Sequence, residues 1–295
     1  MKTKTYTFKC FALILAVIWI ASDILLTKLD PLKYSAYIMK NDYEITQLAH
    51  PEKTWDKVFF GSSVVIASYI EEKSTSGYYN VGVDYGSVSD IYNMIKKGRI
   101  NIGSDLVIAL NDISFLDSLD TNPTYLWHKE WYQHYIFFTR DKTYPLIETG
   151  INNIMDNKPF FDNPTWGNQE KAVYYGTLSD EELYESNQSM LKRFGGCTLD
   201  DCTKNFSALK ELIKLCEQKD IRLRAIWMPW NPKIPIYGFA DNVMTEANKI
   251  FAESDISVYD MTYLVEPEYF HDIGHMNYEV GAEHFTKLVD EYLLK

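Results

Sequence analysis

Short apolar runs that alternate with helical patterns constrain the fold of this chain more than any other feature of its sequence. The clearest run is Asp105–Leu110, in which one aspartate is followed only by apolar residues. A short apolar run between polar residues is typical of a strand buried on both faces of a sheet. Because such runs alternate with helical patterns, we predict an α/β fold with a central parallel sheet.

The alternation occupies two stretches of the chain, separated by a different kind of sequence. Strands are predicted at Lys57–Phe60, Tyr78–Val83, Asp105–Leu110, Ile221–Met228 and Ser257–Tyr259. Helices are predicted at Val64–Glu72, Ser87–Lys97, Asn205–Glu217, Ala240–Glu253 and Tyr278–Leu294. Residues 113–203 break the pattern and are rich in aromatic side chains, among them Tyr125, Trp127, Trp131, Tyr132 and Tyr135. We predict that this stretch is an insertion or cap, whose aromatic residues either pack in its core or stack on sugar rings.

The N-terminus combines a basic flank with an apolar segment. Lysines are the charged residues before the apolar run Cys10–Ala21, and the chain is apolar again at Ile24–Leu26. This pattern indicates export or membrane anchoring, and a basic flank favours a cytoplasmic N-terminus. We predict a signal anchor at residues 1–28, a connector at 29–54 and an extracytoplasmic domain at 55–295. The alternative is that the apolar segment is a buried helix of the domain.

Charge and cysteine content exclude some classes of protein. The chain has 29 Lys and Arg residues against 41 Asp and Glu residues, a formal net charge of −12, and it has no basic cluster. Because binding to phosphates needs clustered Lys and Arg, we expect no nucleic-acid partner. The four cysteines are too few for a disulfide framework and lack zinc-module spacing. Cys197 and Cys202 are either paired with each other or free thiols.

An abrupt turn follows the first predicted strand. The run Val58–Phe60 ends at Gly61, Ser62 and Ser63, and a second apolar run follows at once. A serine at a strand-to-helix turn lies beside free backbone N–H groups, which favour developing negative charge. This position suits a nucleophile, and it also suits a helix N-cap.

Other polar residues are predicted at the same edge of the sheet, where ligands of parallel sheets bind. Gly82 and Asn111 follow strands, and Asp272 and His275 precede the last helix. The i, i+3 spacing lets the Asp272 carboxylate orient the His275 imidazole, whose other nitrogen would take the serine proton. Candidate oxyanion donors are the backbone N–H groups of Ser63 and Gly82 and the side-chain amide of Asn111.

Each of these features has a simpler interpretation. The Asn80–Gly82 segment and Asn111 are ordinary turn or cap sequences, and a lone His275 is consistent with a structural histidine. His271 and His275, spaced i, i+4, also resemble the histidine pair of a zinc-protease helix. Against zinc, Gly274 weakens such a helix, Asp replaces the expected Glu, and no third ligand is evident.

In chain order, these residues resemble the SGNH, or GDSL-like, superfamily of esterases and acyltransferases. The resemblance covers about residues 56–112 and 205–295, and it implies a flavodoxin-like three-layer sandwich, the SGNH hydrolase fold. It assigns the nucleophile to Ser63, because Ser62 takes the place of aspartate in the Gly-Asp-Ser motif. The residues that match the family's other motifs are Gly82, Asn111, Asp272 and His275. The family usually has glycine two residues before the asparagine, where this chain has Ala109.

The Gly-Ser-Ser form and the single anchor are similar to membrane-anchored members that work beside membrane-bound O-acyltransferases or in teichoic-acid D-alanylation. This resemblance implies a serine esterase or O-acyltransferase that acts on acetyl-like or D-alanyl esters of cell-envelope polysaccharide or polyol. It implies an acyl-serine intermediate, a membrane-bound O-acyltransferase as a partner, and no metal or organic cofactor. Trp230, in the loop after a predicted strand, is a candidate for stacking on a sugar ring. The rival hypothesis is a non-catalytic envelope protein that uses this fold for binding or assembly.

Overall fold

The computed structural model describes residues 2–29, 40–119, 121–122, 124–130, 143–160 and 171–295. The chain divides into two compact units, Met1–Asn41 with Pro123–Gln169 and Asp42–Asn122 with Glu170–Lys295. The helices, in chain order, are α1 Lys2–Leu29, α2 Asp42–Ala49, α3 Ser63–Ser68, α4 Val88–Lys96, α5 Thr143–Met155, α6 Asp180–Phe194, α7 Thr203–Gln218, α8 Gly238–Glu253 and α9 Gly281–Leu293. Trp131, Tyr132 and Tyr135 lie outside the described residues.

The second unit is built on a five-stranded sheet. Its strands are β1 Trp55–Gly61, β2 Tyr79–Gly82, β3 Ile102–Leu110, β4 Arg222–Trp227 and β5 Ser257–Asp260. The strand order is β2-β1-β3-β4-β5, and each neighbouring pair is parallel. This is the flavodoxin-like order, in which the direction of winding reverses between β1 and β3 and ligands bind beyond that point. The predicted α/β fold with a flavodoxin-like parallel sheet is confirmed.

Helices cover both faces of the sheet, as expected when the strands are apolar on both sides. On one face Phe59, Val107 and Ile226 belong to a core that includes side chains of α3 and α9. On the other face Phe60 and Ile108 line a narrow gap together with α4 side chains. Helix, sheet and helix thus form the three layers of the sandwich.

Helix α3 is shorter than the sequence predicts, because it ends at Ser68 and not at Glu72. The side-chain amide of Asn80 donates to the carbonyl oxygens of Val65, at 3.2 Å, and Tyr69, at 2.7 Å. Asn80 therefore satisfies the Tyr69 carbonyl, which a longer helix would have bonded itself, and adds a second bond to the Val65 carbonyl, which already accepts from the Tyr69 N–H. The connector predicted at residues 29–54 also differs from expectation, because it contains a helix, α2. The hydroxyl of Tyr43 in α2 donates to the Arg99 carbonyl, at 2.7 Å.

The first unit contains the apolar N-terminal helix. Within α1, residues Phe8–Leu29 form a segment of 22 residues with a mean hydropathy of 2.3, long and apolar enough to cross a membrane. Its side chains are largely exposed in the structure, unlike those of a buried core helix. Elsewhere in this unit Tyr125 and Trp127 are buried and stack at 4.3 Å, so these two aromatic residues pack in a core.

Candidate active site

The turns after β1, β2 and β3 meet at one edge of the sheet. Strand β1 lies between the other two, with Gly61 opposite Gly82 and Phe60 opposite Ile108. Ser63, the first residue of α3, therefore follows the central strand at the edge where β2 and β3 also end. This is the edge at which doubly wound sheets bind ligands.

Gly82 lets α3 lie close to the end of β2. A Cβ atom at Gly82 would lie 2.6 Å from Cγ1 of Ile66 and 2.8 Å from its backbone nitrogen. No real Cβ atom tolerates such contacts, so any larger residue would displace the helix that carries Ser63. The glycine is thus required by packing, whatever its part in chemistry.

Three side chains form a continuous hydrogen-bonded chain at this edge. Oγ of Ser63 lies 2.9 Å from Nε2 of His275, and Nδ1 of His275 lies 2.8 Å from Oδ2 of Asp272. A carboxylate accepts, so Nδ1 carries a proton, and Nε2 is left to accept from the serine hydroxyl. The structure thus brings together Ser63, His275 and Asp272 in the order that nucleophilic catalysis by serine needs.

The loop around Asp272 fixes its carboxylate and keeps it ionised. Oδ1 accepts from the backbone N–H groups of Gly274, at 2.9 Å, and His275, at 2.8 Å. Burial alone would raise the pKa of the Asp272 carboxyl, but these bonds and the His275 ring outweigh it and hold the pKa below its usual value. The backbone carbonyl of Asp272 also accepts from the side chain of Asn231, at 3.0 Å. A charged, oriented carboxylate is what an imidazole base requires.

The structure distinguishes the two adjacent serines. Ser62 is 3% exposed and is the N-cap residue of α3, but its side chain makes no capping bond. Its buried Oγ has no hydrogen-bond partner among the residues that the structure describes. Ser63, in contrast, is partly exposed and bonded to His275. Of these two serines, Ser63 is the one whose hydroxyl is partly exposed and bonded to a histidine.

The three candidate oxyanion donors differ in their surroundings. Across the described ranges, the N–H of Ser63 has no acceptor. The N–H of Gly82 donates to Oδ1 of Asn80, at 3.0 Å, so it already has a partner. An oxyanion at Gly82 would have to share or displace this bond.

Asn111 is held as the N-cap of a short 3-10 helix, Asp112–Phe115. Its Oδ1 accepts from the N–H of Ser114, at 3.0 Å, and from the Ser114 hydroxyl, at 2.8 Å. The amide orientation is thereby set, and within the described part of the chain Nδ2 makes no hydrogen bond. Capping thus uses the acceptor of this side chain and leaves its donor group available to a ligand.

Trp230 is not placed as sugar stacking would require. The side chain is 9% exposed and packs with Leu183, Ile234 and Ile273, and its Nε1 donates to the Ile234 carbonyl at 2.7 Å. An indole with buried faces and a satisfied N–H stabilises its loop. The expected stacking role has no support here, because the sequence does not show that the loop folds back onto α6.

His271 serves a structural purpose in the loop. Its Nδ1 donates to the carbonyl oxygens of Tyr175, at 3.0 Å, and Gly176, at 3.1 Å. Both ring nitrogens of His275 are likewise engaged. Among the described residues, no group of three or more His, Cys, Asp and Glu side chains is placed to hold a metal ion. All four cysteines, including Cys197 and Cys202, are free thiols.

Sequence reasoning missed two residues of this region. Tyr174 stacks on the imidazole of His275, with ring centroids 4.2 Å apart and an angle of 27° between the rings. Asn231 bonds the Asp272 carbonyl, as described above. Tyr174 lies in the stretch predicted to be an insertion, and no local pattern marks it. Asn231 lies in a Pro-Trp-Asn-Pro loop that follows β4. A polar residue directly after a predicted strand is a candidate for the site at this edge of the sheet, so the sequence could have indicated Asn231.

Comparison with known proteins finds likenesses to solved structures but no match at the level of families or curated sequences. No family model matches this chain, and no curated protein matches it. Among solved structures, the chain is similar to Est24, a carbohydrate acetylesterase from Sinorhizobium meliloti, with a TM-score of 0.39 and 8% sequence identity. The alignment covers 82% of this chain and 99% of the Est24 chain.

Proposed function

We propose that this protein is a serine esterase or O-acyltransferase whose nucleophile is Ser63. The observation that carries the proposal is the hydrogen-bonded chain from Ser63 through His275 to Asp272. A serine hydroxyl is a weak nucleophile, and it attacks an acyl carbon only when a base removes its proton. Nε2 of His275 lies at hydrogen-bond distance from the Ser63 hydroxyl, where a base for that proton is needed.

The reaction would proceed through an acyl-serine. Oγ of Ser63 attacks the ester carbonyl while Nε2 of His275 takes its proton, and Asp272 stabilises the resulting imidazolium. His275 then returns the proton to the leaving alcohol, and the acyl group remains on Ser63. In the second half, water or an acceptor hydroxyl, deprotonated by His275, attacks the acyl carbon, the bond from that carbon to Oγ of Ser63 breaks, and His275 returns the proton to Ser63. The negative oxygen would be stabilised by the N–H of Ser63 and Nδ2 of Asn111, with Gly82 contributing only if it releases Asn80.

The substrate class and location rest on sequence. The resemblance to the anchored SGNH proteins supports acetyl-like or D-alanyl esters of an envelope polysaccharide or polyol. Helix α1 supports a membrane anchor, and its basic flank supports an extracytoplasmic catalytic unit. If so, the intact protein remains in membranes after an alkaline carbonate wash, and external protease degrades the catalytic unit in spheroplasts but not in sealed inverted vesicles.

Covalent labelling tests the proposal. A serine-reactive fluorophosphonate should label the wild type, and Ser63→Ala should abolish labelling while the fold, measured by circular dichroism, is kept. Ser62→Ala is the matched control, because the adjacent Ser62 hydroxyl contacts no polar partner in the described structure, and it should retain labelling. A wild type that never reacts overturns the proposal, and activity abolished by a chelator would instead favour the metal hypothesis.

A non-catalytic envelope role is the second candidate. The observation that favours it is the N–H of Gly82, which is bonded to Asn80 and so withdrawn from an oxyanion hole. The same labelling decides between the two, because a binding module needs no reactive serine. If labelling succeeds, acyl release from a model ester with and without a carbohydrate acceptor separates esterase from transferase.

A further inference from the structure

We propose that Tyr174 is a positioning residue that holds the His275 imidazole in the plane required for proton transfer. This inference rests on the proposed function. The two hydrogen bonds of His275, to Ser63 and Asp272, lie at the edge of its ring. Hydrogen bonds at Nδ1 and Nε2 fix the position of the ring. They resist only weakly a tilt, that is, a rotation of the ring plane about the line that joins these two nitrogens. The phenol ring stacked at 4.2 Å blocks that tilt on one face.

The segment that carries Tyr174 is attached to the histidine loop. We call residues 174–178 the strap, and residues 270–278 the histidine loop. Two backbone hydrogen bonds join the strap to the histidine loop. The N–H of Tyr278 donates to the Tyr174 carbonyl, at 2.8 Å, and the N–H of Leu178 donates to the His271 carbonyl, at 2.9 Å. The His271 side chain adds its bond to the Tyr175 and Gly176 carbonyls. Tyr174 is therefore held on His275 from both ends of the strap.

The ring of Tyr174 acts without its hydroxyl. The side chain is half-buried, and its hydroxyl makes no hydrogen bond to any residue in the described ranges. Burial, together with the negative charges of Asp272 and Asp84, raises the pKa of Tyr174, so the residue stays a neutral phenol. Removal of the hydroxyl should therefore cost little, whereas removal of the ring should matter. This contrast separates a stacking role from acid–base chemistry by the phenol.

A tilt of the base acts on the chemical step. Proton transfer depends steeply on geometry, so loss of the stacked ring should lower kcat about tenfold while KM for a small soluble ester stays within about twofold. A residue that merely stabilised the fold would lower the melting temperature and the active fraction, without changing kcat per labelled site. A residue that bound substrate would raise KM.

The test compares Tyr174→Phe, which keeps the ring, with Tyr174→Leu, which keeps apolar bulk without a flat ring. Val173→Ala, an exposed neighbour, is the control. His271→Ala removes one attachment of the strap, together with the contact between the His271 and Tyr174 rings, whose centroids lie 5.1 Å apart, and should give part of the effect of Tyr174→Leu. We expect Tyr174→Phe and the control to match the wild type, and Tyr174→Leu to lower kcat per labelled site about tenfold, equivalent to about 1.4 kcal/mol. In proton NMR, the downfield resonance of the His275 Nδ1 proton should persist in Tyr174→Phe, and this proton should exchange faster with solvent in Tyr174→Leu.

The outcomes separate this inference from the proposed function. Equal kcat and an unchanged Nδ1 resonance in Tyr174→Leu, with the wild type labelled normally, overturn the positioning role alone. If Tyr174→Leu does not fold, His271→Ala decides by the same two readouts. Absence of labelling in the wild type overturns the proposed function, and the positioning role with it.

Discussion

Oγ of Ser63 lies 2.9 Å from Nε2 of His275, although 212 positions separate the two residues in sequence. Ser63 begins α3 and His275 lies in the loop before α9, and these two helices pack in the same core on one face of the sheet. A side-chain hydrogen bond joins α9 to the segment that follows α3, because the N–H of Ile70 donates to Oγ1 of Thr286, at 2.9 Å. The contact is therefore a consequence of how two sheet-covering helices pack.

Asp272→Asn should inactivate the protein without unfolding it. An asparagine can still accept from the N–H groups of Gly274 and His275, but its amide nitrogen would face Nδ1 of the ring. That amide donates, so the proton of His275 would move to Nε2, which could then no longer accept from Ser63. We expect kcat for a model ester to fall about 10³–10⁴-fold with a near-native circular dichroism spectrum.

The control for this change is Asp260→Asn. Asp260 ends β5 and caps its own turn by accepting from the N–H and hydroxyl of Thr262, much as Asp272 caps its turn, but no histidine in the described ranges bonds to it. Its replacement should leave kcat unchanged. Retention of more than a tenth of wild-type kcat in Asp272→Asn would contradict the role given to the carboxylate.

Regular features of this protein follow from sequence better than the details of its site. Strand β3 was predictable because its second half, Leu106–Leu110, is a continuous apolar run, as buried parallel strands are. The end of α3 was not, because the capping Asn80 lies on another strand. The burial of Trp230 depends likewise on α6, far away in sequence.

The candidate site also contains residues that the sequence predicts and residues that it does not. Ser63, Asp272 and His275 could be singled out, since serine chemistry restricts which residue types must meet. Tyr174 could not be found in this way, because stacking on an imidazole leaves no spacing or composition signal. Their catalytic roles stay predictions until the variants are measured.

Asn111→Asp separates the capping role of this residue from its proposed role as an oxyanion donor. Aspartate retains the oxygen that accepts from Ser114, and it is as good an N-cap as asparagine. It replaces the donor amide by a second carboxylate oxygen, which repels a developing oxyanion. We expect kcat to fall about 10²–10³-fold or more, with an unchanged melting temperature.

Ser114→Ala is the matched change for the cap alone. It removes the hydroxyl that donates to Asn111 but keeps the backbone N–H bond. We expect a modest loss of stability and a smaller loss of kcat than in Asn111→Asp. If Asn111→Asp keeps full activity, Asn111 does not bind the oxyanion.

Gly82→Ala should destabilise the catalytic unit. The added Cβ would meet the backbone nitrogen of Ile66 at 2.8 Å, and backbone cannot move as freely as a side chain. Overpacking of this kind costs about 1–3 kcal/mol in the free energy of unfolding. Gly238→Ala is the control, because a Cβ at Gly238, the first residue of α8, meets no atom within 4 Å. In urea denaturation the control should be unchanged or more stable by about 0.4–1 kcal/mol. Equal midpoints for the two variants would contradict the packing argument.

Asp290 should make stability depend on pH in the acidic range. Its carboxylate is buried and accepts from the hydroxyls of Ser74, at 2.7 Å, and Ser76, at 2.5 Å, and from the N–H and hydroxyl of Thr75. Burial would raise the pKa of Asp290, but these hydrogen bonds outweigh it and hold the pKa below its usual value. A lowered folded-state pKa stabilises the protein fully above the unfolded value, about 3.9, and this stabilisation is lost as pH falls through the folded value.

The Asp290→Asn variant isolates this contribution. At pH 7 the variant loses charge-assisted hydrogen bonds, so we expect its free energy of unfolding to be about 1.5–3 kcal/mol below that of the wild type. The difference should persist at pH 5 and shrink at pH 3, because acid below the unfolded value of about 3.9 protonates Asp290 first in the unfolded wild-type chain and so stabilises that chain, whereas the amide does not titrate. Glu291→Gln, an exposed neighbour on the same helix, should show little difference at any of these values. Urea unfolding of the three proteins at each pH decides the matter, and a difference that stays constant down to pH 3 would show that the network does not need the charge of Asp290.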